Sequence, residues 1–275
     1  MWVGLRTWLP AVVPRGLKAG DASVLLPKEP IVLHGIALNL DAQLARLPSW
    51  EAAHQRLFAA ILDDSAINPL GRPQGRVHNG WFETPDAEIY VAVIADSRPH
   101  RIVEVGGGYS TLIARRTVDE LGLSCSITVV DPEPRTEVRD AVDSIHLTMI
   151  EDFDADRLEL GSGPVLLFID SSHVVRSGGD VPLLFDRIIP QLAPGSMVHV
   201  HDIFLPYDYP PALKARLYTE QYVLQALLTH SNRYEVQFAT HCMARQFTHE
   251  MQRSIRPTVA SDHRFYGSSF WFRVR

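Results

Sequence analysis

From Leu33 to about Leu62 apolar residues recur at helical spacing, first in IALNLDAQLARL and then in SWEAAHQRLFAAIL. Pro48 and Ser49 fall between the two stretches as stop and cap, so the pattern predicts two helices. NPLGRPQGRVHNG at 68–80, with three glycines and two prolines, reads as a linker. Thr84, followed by Pro85 and by Asp86 and Glu88, is a candidate cap for a helix running to about Asp96. Beyond it the period changes. Short, β-branched, nearly continuous apolar runs appear at 101–105 (RIVEV), 126–130 (SITVV), 165–169 (VLLFI) and 196–200 (SMVHV). Helical patterns alternate with them at Ser110 to Leu121, Glu133 to Ser144, Asp180 to Gln191 and Leu213 to Thr229. Such runs separated by helices are what a parallel sheet covered on both faces requires, so the expected class is α/β and doubly wound. Two more strand candidates, YEVQFAT at 234–240 and SSFWFRVR at 268–275, close the chain, joined by a long polar segment.

Composition narrows the partners more than the fold. At 275 residues and 46% hydrophobic the chain can bury a full core, as one enlarged domain or a core with a small appendage. No apolar run approaches the length of a membrane span, and the first twenty residues carry only short apolar pieces cut by Pro10 and Pro14. The expectation is a cytoplasmic protein that does not engage a membrane. Cys125 and Cys242 lie far apart in no CxxC pair, which indicates two reduced thiols and no structural zinc. A net charge of −6 without a basic run gives no footprint for nucleic acid, leaving a small molecule as the expected partner.

The strongest chemical signal is VEVGGGYST at 103–111, closing the first of these strands and opening a helix. Glycines at that place let the chain turn sharply and let backbone approach a ligand at the carboxyl edge of the sheet. Thr111 stands where a G-x-G-x-x-G fingerprint has its third glycine, which argues against a dinucleotide. Glu104, charged inside an apolar strand, needs a polar partner, and a ligand's ammonium would supply one. Asp131 ends the next strand in ITVVDPEPR; it can accept both hydroxyls of a ribose, or cap a helix beginning near Pro132.

E-x-G-x-G-Y-S followed by an acid after the next strand resembles the class I methyltransferases that use S-adenosylmethionine (SAM). It is similar above all to small-molecule O-methyltransferases of the catechol and antibiotic-sugar types. The resemblance covers about residues 79–275, with 1–78 as an N-terminal helical segment acting as lid or dimer contact. It implies a Rossmann-like, mostly parallel seven-stranded sheet with an antiparallel C-terminal strand. It also implies that Glu104 and the backbone of Gly106, Gly107 and Gly108 hold the methionine part of SAM. Tyr109 and Ser110 would reach its carboxylate, Asp131 the ribose, and Glu151 or Asp152 in MIEDFD the adenine.

A second constellation lies in FIDSSH at 168–173 and VHVHDIF at 198–204, both at carboxyl ends of predicted strands. Asp170, His173, His201 and Asp202 should converge there on one rim, with His199 and His201 on the same face of their strand. Carboxylates and imidazoles so gathered can bind a divalent metal that acidifies an acceptor hydroxyl. By resemblance to the catechol type, Asp170, His201 and Asp202 fall at the three metal positions and His173 at that of the base. His for Asp and Asp for Asn in the pair allow magnesium, manganese, iron or zinc, or no metal at all. In the bland alternative the acids cap their loops and the histidines act as bases or as satisfied polar groups. The aromatic loop DIFLPYDYPP at 202–211 is either a clamp over a substrate or an ordinary packed connection.

The expected activity is therefore transfer of the SAM methyl to a hydroxyl of a small molecule, with Asp170, His173 and His201 carrying the chemistry. Methylation of nitrogen, sulfur or carbon, a SAM-binding cyclase, a catalytically silent SAM-binding protein and an NAD-dependent oxidoreductase are the alternatives. A homodimer is compatible with the N-terminal segment.

Overall fold

The computed structural model describes residues 27, 29–62, 79, 81–158, 160, 162–255, 265 and 267–275. The N-terminal stretch through residue 26, and the 68–80 linker apart from Asn79, lie outside the described residues. Chain order runs α1 (Leu40–Leu62), α2 (Asp86–Ser97), β1 (Arg101–Val105), α3 (Tyr109–Glu120), β2 (Ser126–Val130), β3 (Ser144–His146) and β4 (Leu166–Ile169). It continues with α4 (Asp180–Leu183), β5 (Met197–Val200), α5 (Pro211–Ala215), α6 (Glu220–Leu228), β6 (Tyr234–Ala239), α7 (Thr240–Gln246), α8 (Thr248–Ile255) and β7 (Phe270–Val274). Among the described residues seven strands form one sheet in the order β3-β2-β1-β4-β5-β7-β6. Parallel pairing joins β3 through β5, and β7 runs antiparallel to both β5 and β6. This is the doubly wound, Rossmann-like sheet that the alternating pattern and the resemblance led one to expect.

Alternation within the strands assigns the two faces. Ile102, Ile127, Leu166, Phe168, Phe238 and Trp271 face one layer, built from α1, α2, α3, α7 and α8. Val103, Val105, Val130, Leu167, Ile169, Val198 and Val200 face the other, covered by residues 181–192 and by Leu224 and Leu228 of α6. The strand order reverses between β1 and its neighbours β2 and β4, where open α/β sheets bind ligands. No helix among the described residues is long and apolar enough to cross a membrane. Both cysteines are buried free thiols.

Several local expectations change. The two helices expected around Pro48 are a single helix, α1, with the proline inside it. An interior proline costs about 3 kcal/mol, but Leu47 and Trp50 on either side are fully buried and the Trp50 indole donates to Asp96 at 2.6 Å. Ser49 donates to the Arg46 carbonyl at 2.7 Å. α1 packs on α8, α3 and α2. Thr84 does not cap α2: its hydroxyl is buried without a hydrogen bond, while Asp86 accepts from the backbone of Ser268 and Ser269. The helix expected at 133–144 is absent, reduced to one 3-10 turn at Arg139–Ala141 before β3. Pro132 and Pro134 offer no N–H, and the Glu133 and Arg135 N–H groups bond to Asp131 and Gly107 instead. The helix beginning at Asp180 continues to Gln191 through a π turn at 184–188 and a 3-10 turn. The single helix expected at 213–229 is broken into α5 and α6, with Leu217 left-handed between them at φ 63°. The long polar segment after β6 carries α7 and α8.

Candidate functional site

The glycine loop is shaped by two close approaches. Gly106 stands at φ 91°, and a Cβ there would lie 2.0 Å from the carbonyl oxygen of Asp170. Its N–H donates to Val130 on one side while Asp170 N–H donates to Val105 on the other, so this residue sits where β2 and β4 part. Gly107 has little room as well, since a Cβ would meet the Val129 side chain at 2.7 Å. Gly108 begins α3 and gives its N–H to the Thr111 hydroxyl at 3.0 Å. Thr111 also donates to Glu104. The residue that breaks the dinucleotide fingerprint thus fastens the loop to β1.

Glu104 is completely buried, and its partners are hydroxyls of the protein: Tyr90 at 2.9 Å, Thr111, and Ser110 at 3.4 Å. Burial pushes its carboxyl up to about 7, against the pull of those hydrogen bonds. The polar partner that its burial demands is thus present without a ligand. Tyr90 of α2 was not legible as part of this site, and Ser110, expected at the cofactor carboxylate, turns its hydroxyl to Glu104. Tyr109 is half-buried and packs against the core. Asp131 accepts from Gly107 N–H at 2.6 Å with one oxygen and from Glu133 N–H at 2.7 Å with the other. It closes a turn where a helix cap was the alternative, and it reaches back to the glycine loop. Each carboxylate oxygen accepts two hydrogen bonds, so capacity for ribose hydroxyls is left. Glu151 lies in the 3-10 turn after β3, where Arg176 donates to it at 3.0 Å; Asp152 beside it is exposed.

The second constellation does converge. Ser172 donates from its N–H and its hydroxyl to the Asp180 carboxylate, both at 2.6 Å, which fixes the loop after β4. His173 is buried, with Nδ1 2.8 Å from Glu220 and Nε2 3.2 Å from Asp170 and 3.7 Å from Asp202. Its carbonyl accepts from the N–H groups of Thr219 and Glu220, so the break before α6 is what lets Glu220 reach it. His173 and Asp202 both adopt left-handed backbone, at φ 60° and 53°, a conformation uncommon for residues with a Cβ and found also at Asn39, Arg98, Leu217 and His230. Burial works to lower the His173 pKa, but hydrogen bonds to Asp170 and Glu220 and the charges of Glu220 and Asp202 raise it well above the ordinary value. Partial burial works to raise that of Asp170, and the charges of His201 and His173 with the His173 hydrogen bond outweigh it, holding the carboxyl below the usual range.

His199 and His201 share one face, 5.6 Å apart, as their spacing predicts. His199 stacks on Phe168 at 3.8 Å and pairs with the Ser269 hydroxyl at 2.9 Å, a core histidine whose pKa burial and the neighbouring His201 charge push well down. His201 differs. His201 is buried, neither of its ring nitrogens has a hydrogen-bond partner among the described residues, and Nδ1 is fully enclosed. Asp202 accepts from the Ser268 hydroxyl at 3.2 Å.

The metal expected at Asp170, His201 and Asp202 does not fit this arrangement. The His173 imidazole lies between the two carboxylates that would have to share the ion. Among the described residues no group of three or more His, Cys, Asp or Glu is placed to hold a metal. The aromatic loop is a packed connection, not a free clamp: Phe204, Tyr207 and Tyr209 are buried, and Gln221 binds all three. Tyr90 and Ser268, and the pairing of Glu220 with His173, were beyond sequence reasoning, since these groups lie 14, 66 and 47 residues from those they hold.

Residues 103–203, from β1 to just past β5, match the family described as a methyltransferase domain. Over 63 residues it is 40% identical to an uncharacterized protein of Archaeoglobus fulgidus, a match spanning 22% of this chain and 28% of that one. Among solved structures, the O-methyltransferase of Bacillus cereus in complex with SAH is 14% identical, covering 93% of this chain and 96% of that one at a TM-score of 0.43. The SAH-bound Podospora anserina methyltransferase PaMTH1 is 18% identical, covering 88% and 90% at a TM-score of 0.41.

Proposed function

We propose that this protein transfers the methyl of SAM to a hydroxyl of a small molecule. The observation that carries the proposal is the cofactor edge itself: Asp131 bonded to Gly107 N–H at the mouth of β1 and β2, with Glu104 buried behind the loop. Bound SAM would supply a methyl already activated on a sulfonium, so the protein's task is chiefly proximity and orientation. Glu104 and the glycine loop take the amino-acid end, Asp131 the ribose, and Glu151 and Asp152 flank the adenine.

At the rim, His201 Nε2 receives the acceptor hydroxyl and its proton. His173 cannot serve in that way, because both of its nitrogens are engaged and it retains its proton. It acts instead as a fixed positive charge that orients Asp170 and Asp202 beside the acceptor. No step requires a metal. Incubation with SAM and a panel of hydroxylated metabolites, read by mass spectrometry for a methylated product, tests the proposal. His201→Gln should abolish product while leaving SAH binding intact; methylation at nitrogen, sulfur or carbon in the product would overturn the choice of acceptor.

A further inference from the structure

Arg135 lies four residues past Asp131 and returns to the glycine loop. Its N–H donates to the Gly107 carbonyl at 3.2 Å, and a Cβ on Gly108 would lie 3.4 Å from the Arg135 Cβ. The side chain is therefore anchored at the mouth of the loop. Its guanidinium has no carboxylate or hydrogen-bond partner among the described residues, although the chain carries 32 acids. It rests on the indole of Trp81, 3.5 Å from the ring centroid. Trp81 is 57% exposed, the most of any tryptophan among the described residues, yet its backbone is tied down: Asn79 accepts from the N–H groups of Trp81 and Phe82 at 2.8 and 2.7 Å. Three residues on, the Thr84 hydroxyl is buried without a partner.

A planar cation with five donors, parked flat on an aromatic face, is preorganised for bidentate capture of a carboxylate. Ser110, the residue expected to receive the cofactor's carboxylate, is turned away to Glu104. We infer that Arg135, steadied by Trp81, receives the carboxylate of the amino-acid end of the cofactor at the mouth of the glycine loop. The inference rests on the SAM-binding reading of that loop and assigns a residue that the motif does not contain.

The test compares two ligands that share adenosine and thioether but differ in the amino-acid end: SAH, which has the carboxylate, and 5′-methylthioadenosine, which lacks it. Calorimetric titration of the full chain and of Arg135→Gln should show SAH weakened by about tenfold or more, as for a lost hydrogen bond to a charged group. The affinity for 5′-methylthioadenosine should stay the same. Arg135 is exposed, so the variant should fold as the parent does, and coincident thermal unfolding checks this. In the parent chain SAH should change tryptophan emission as the guanidinium shifts on its indole, and Trp81→Phe should remove that change. Equal weakening of both ligands, or of neither, overturns the assignment of Arg135 while the SAM-binding reading stands. A parent chain that binds neither ligand overturns both.

Discussion

Glu104 offers the sharpest quantitative handle, because a carboxyl at the centre of a parallel sheet must be reflected in stability. Burial raises its pKa from the ordinary 4.5 to about 7, opposed by hydrogen bonds from Thr111, Tyr90 and Ser110. Between those values the folded chain holds a proton that the unfolded chain has lost. The stabilisation is fully present below 4.5 and drains away as pH rises through 7. At about 1.4 kcal/mol for each pH unit, the whole swing is about 3 kcal/mol. Glu104→Gln has no such proton, and the surrounding hydroxyls can donate or accept as an amide requires. The variant should therefore gain on the parent by about 3 kcal/mol between pH 4.5 and about pH 8. Urea unfolding of both proteins across that range, followed by circular dichroism and tryptophan emission together, measures the difference while cancelling the other titrating groups. A difference that stays constant with pH would refute the reasoning. The same proton links stability to function, since a ligand ammonium near Glu104 lowers its pKa. SAH binding near pH 6 should then release protons, visible as calorimetric heats that depend on the buffer.

Gly106→Ala should destabilise the fold by ~3 kcal/mol or more, since it combines a left-handed backbone with a Cβ driven into the Asp170 carbonyl; an unchanged melting temperature would contradict this. Glu220→Gln should lower turnover by about tenfold while SAH affinity stays within about twofold, because Glu220 holds His173 at the acceptor rim and not at the cofactor. A matching loss of SAH affinity would show the effect to be structural. Excess chelator should leave methyl transfer unchanged, because His173 lies between the carboxylates a metal would need. Activity lost on chelation and restored by manganese or zinc would overturn that.

The sheet was legible because its strands are short β-branched runs buried on both faces, and RIVEV, SITVV, VLLFI and SMVHV are recognisable without any tertiary information. SIH, the third strand, is short, polar and only half-buried, so its pattern announces nothing. The false helix at 133–144 had a plausible period, but backbone N–H groups committed to Asp131 and Gly107 overrode it. Pro48 misled in the opposite sense, because burial of Leu47 and Trp50 outweighs a local break. Around the candidate site, the close approach at Gly106 and the turn at Asp131 could be read from position alone, and so could the convergence of Asp170, His173, His201 and Asp202 at strand ends. What could not be read is how neighbours divide the work. Glu220 reaches His173 from a helix that starts after the left turn at Leu217, which leaves His201 as the imidazole without a hydrogen bond.

Equilibrium titration of the purified chain with SAH and with NAD tests the cofactor assignment most directly. The account predicts saturable binding of SAH, none of NAD, and SAH affinity weakened about tenfold in Asp131→Ala through lost ribose hydrogen bonds. Binding of NAD with no affinity for SAH would contradict it.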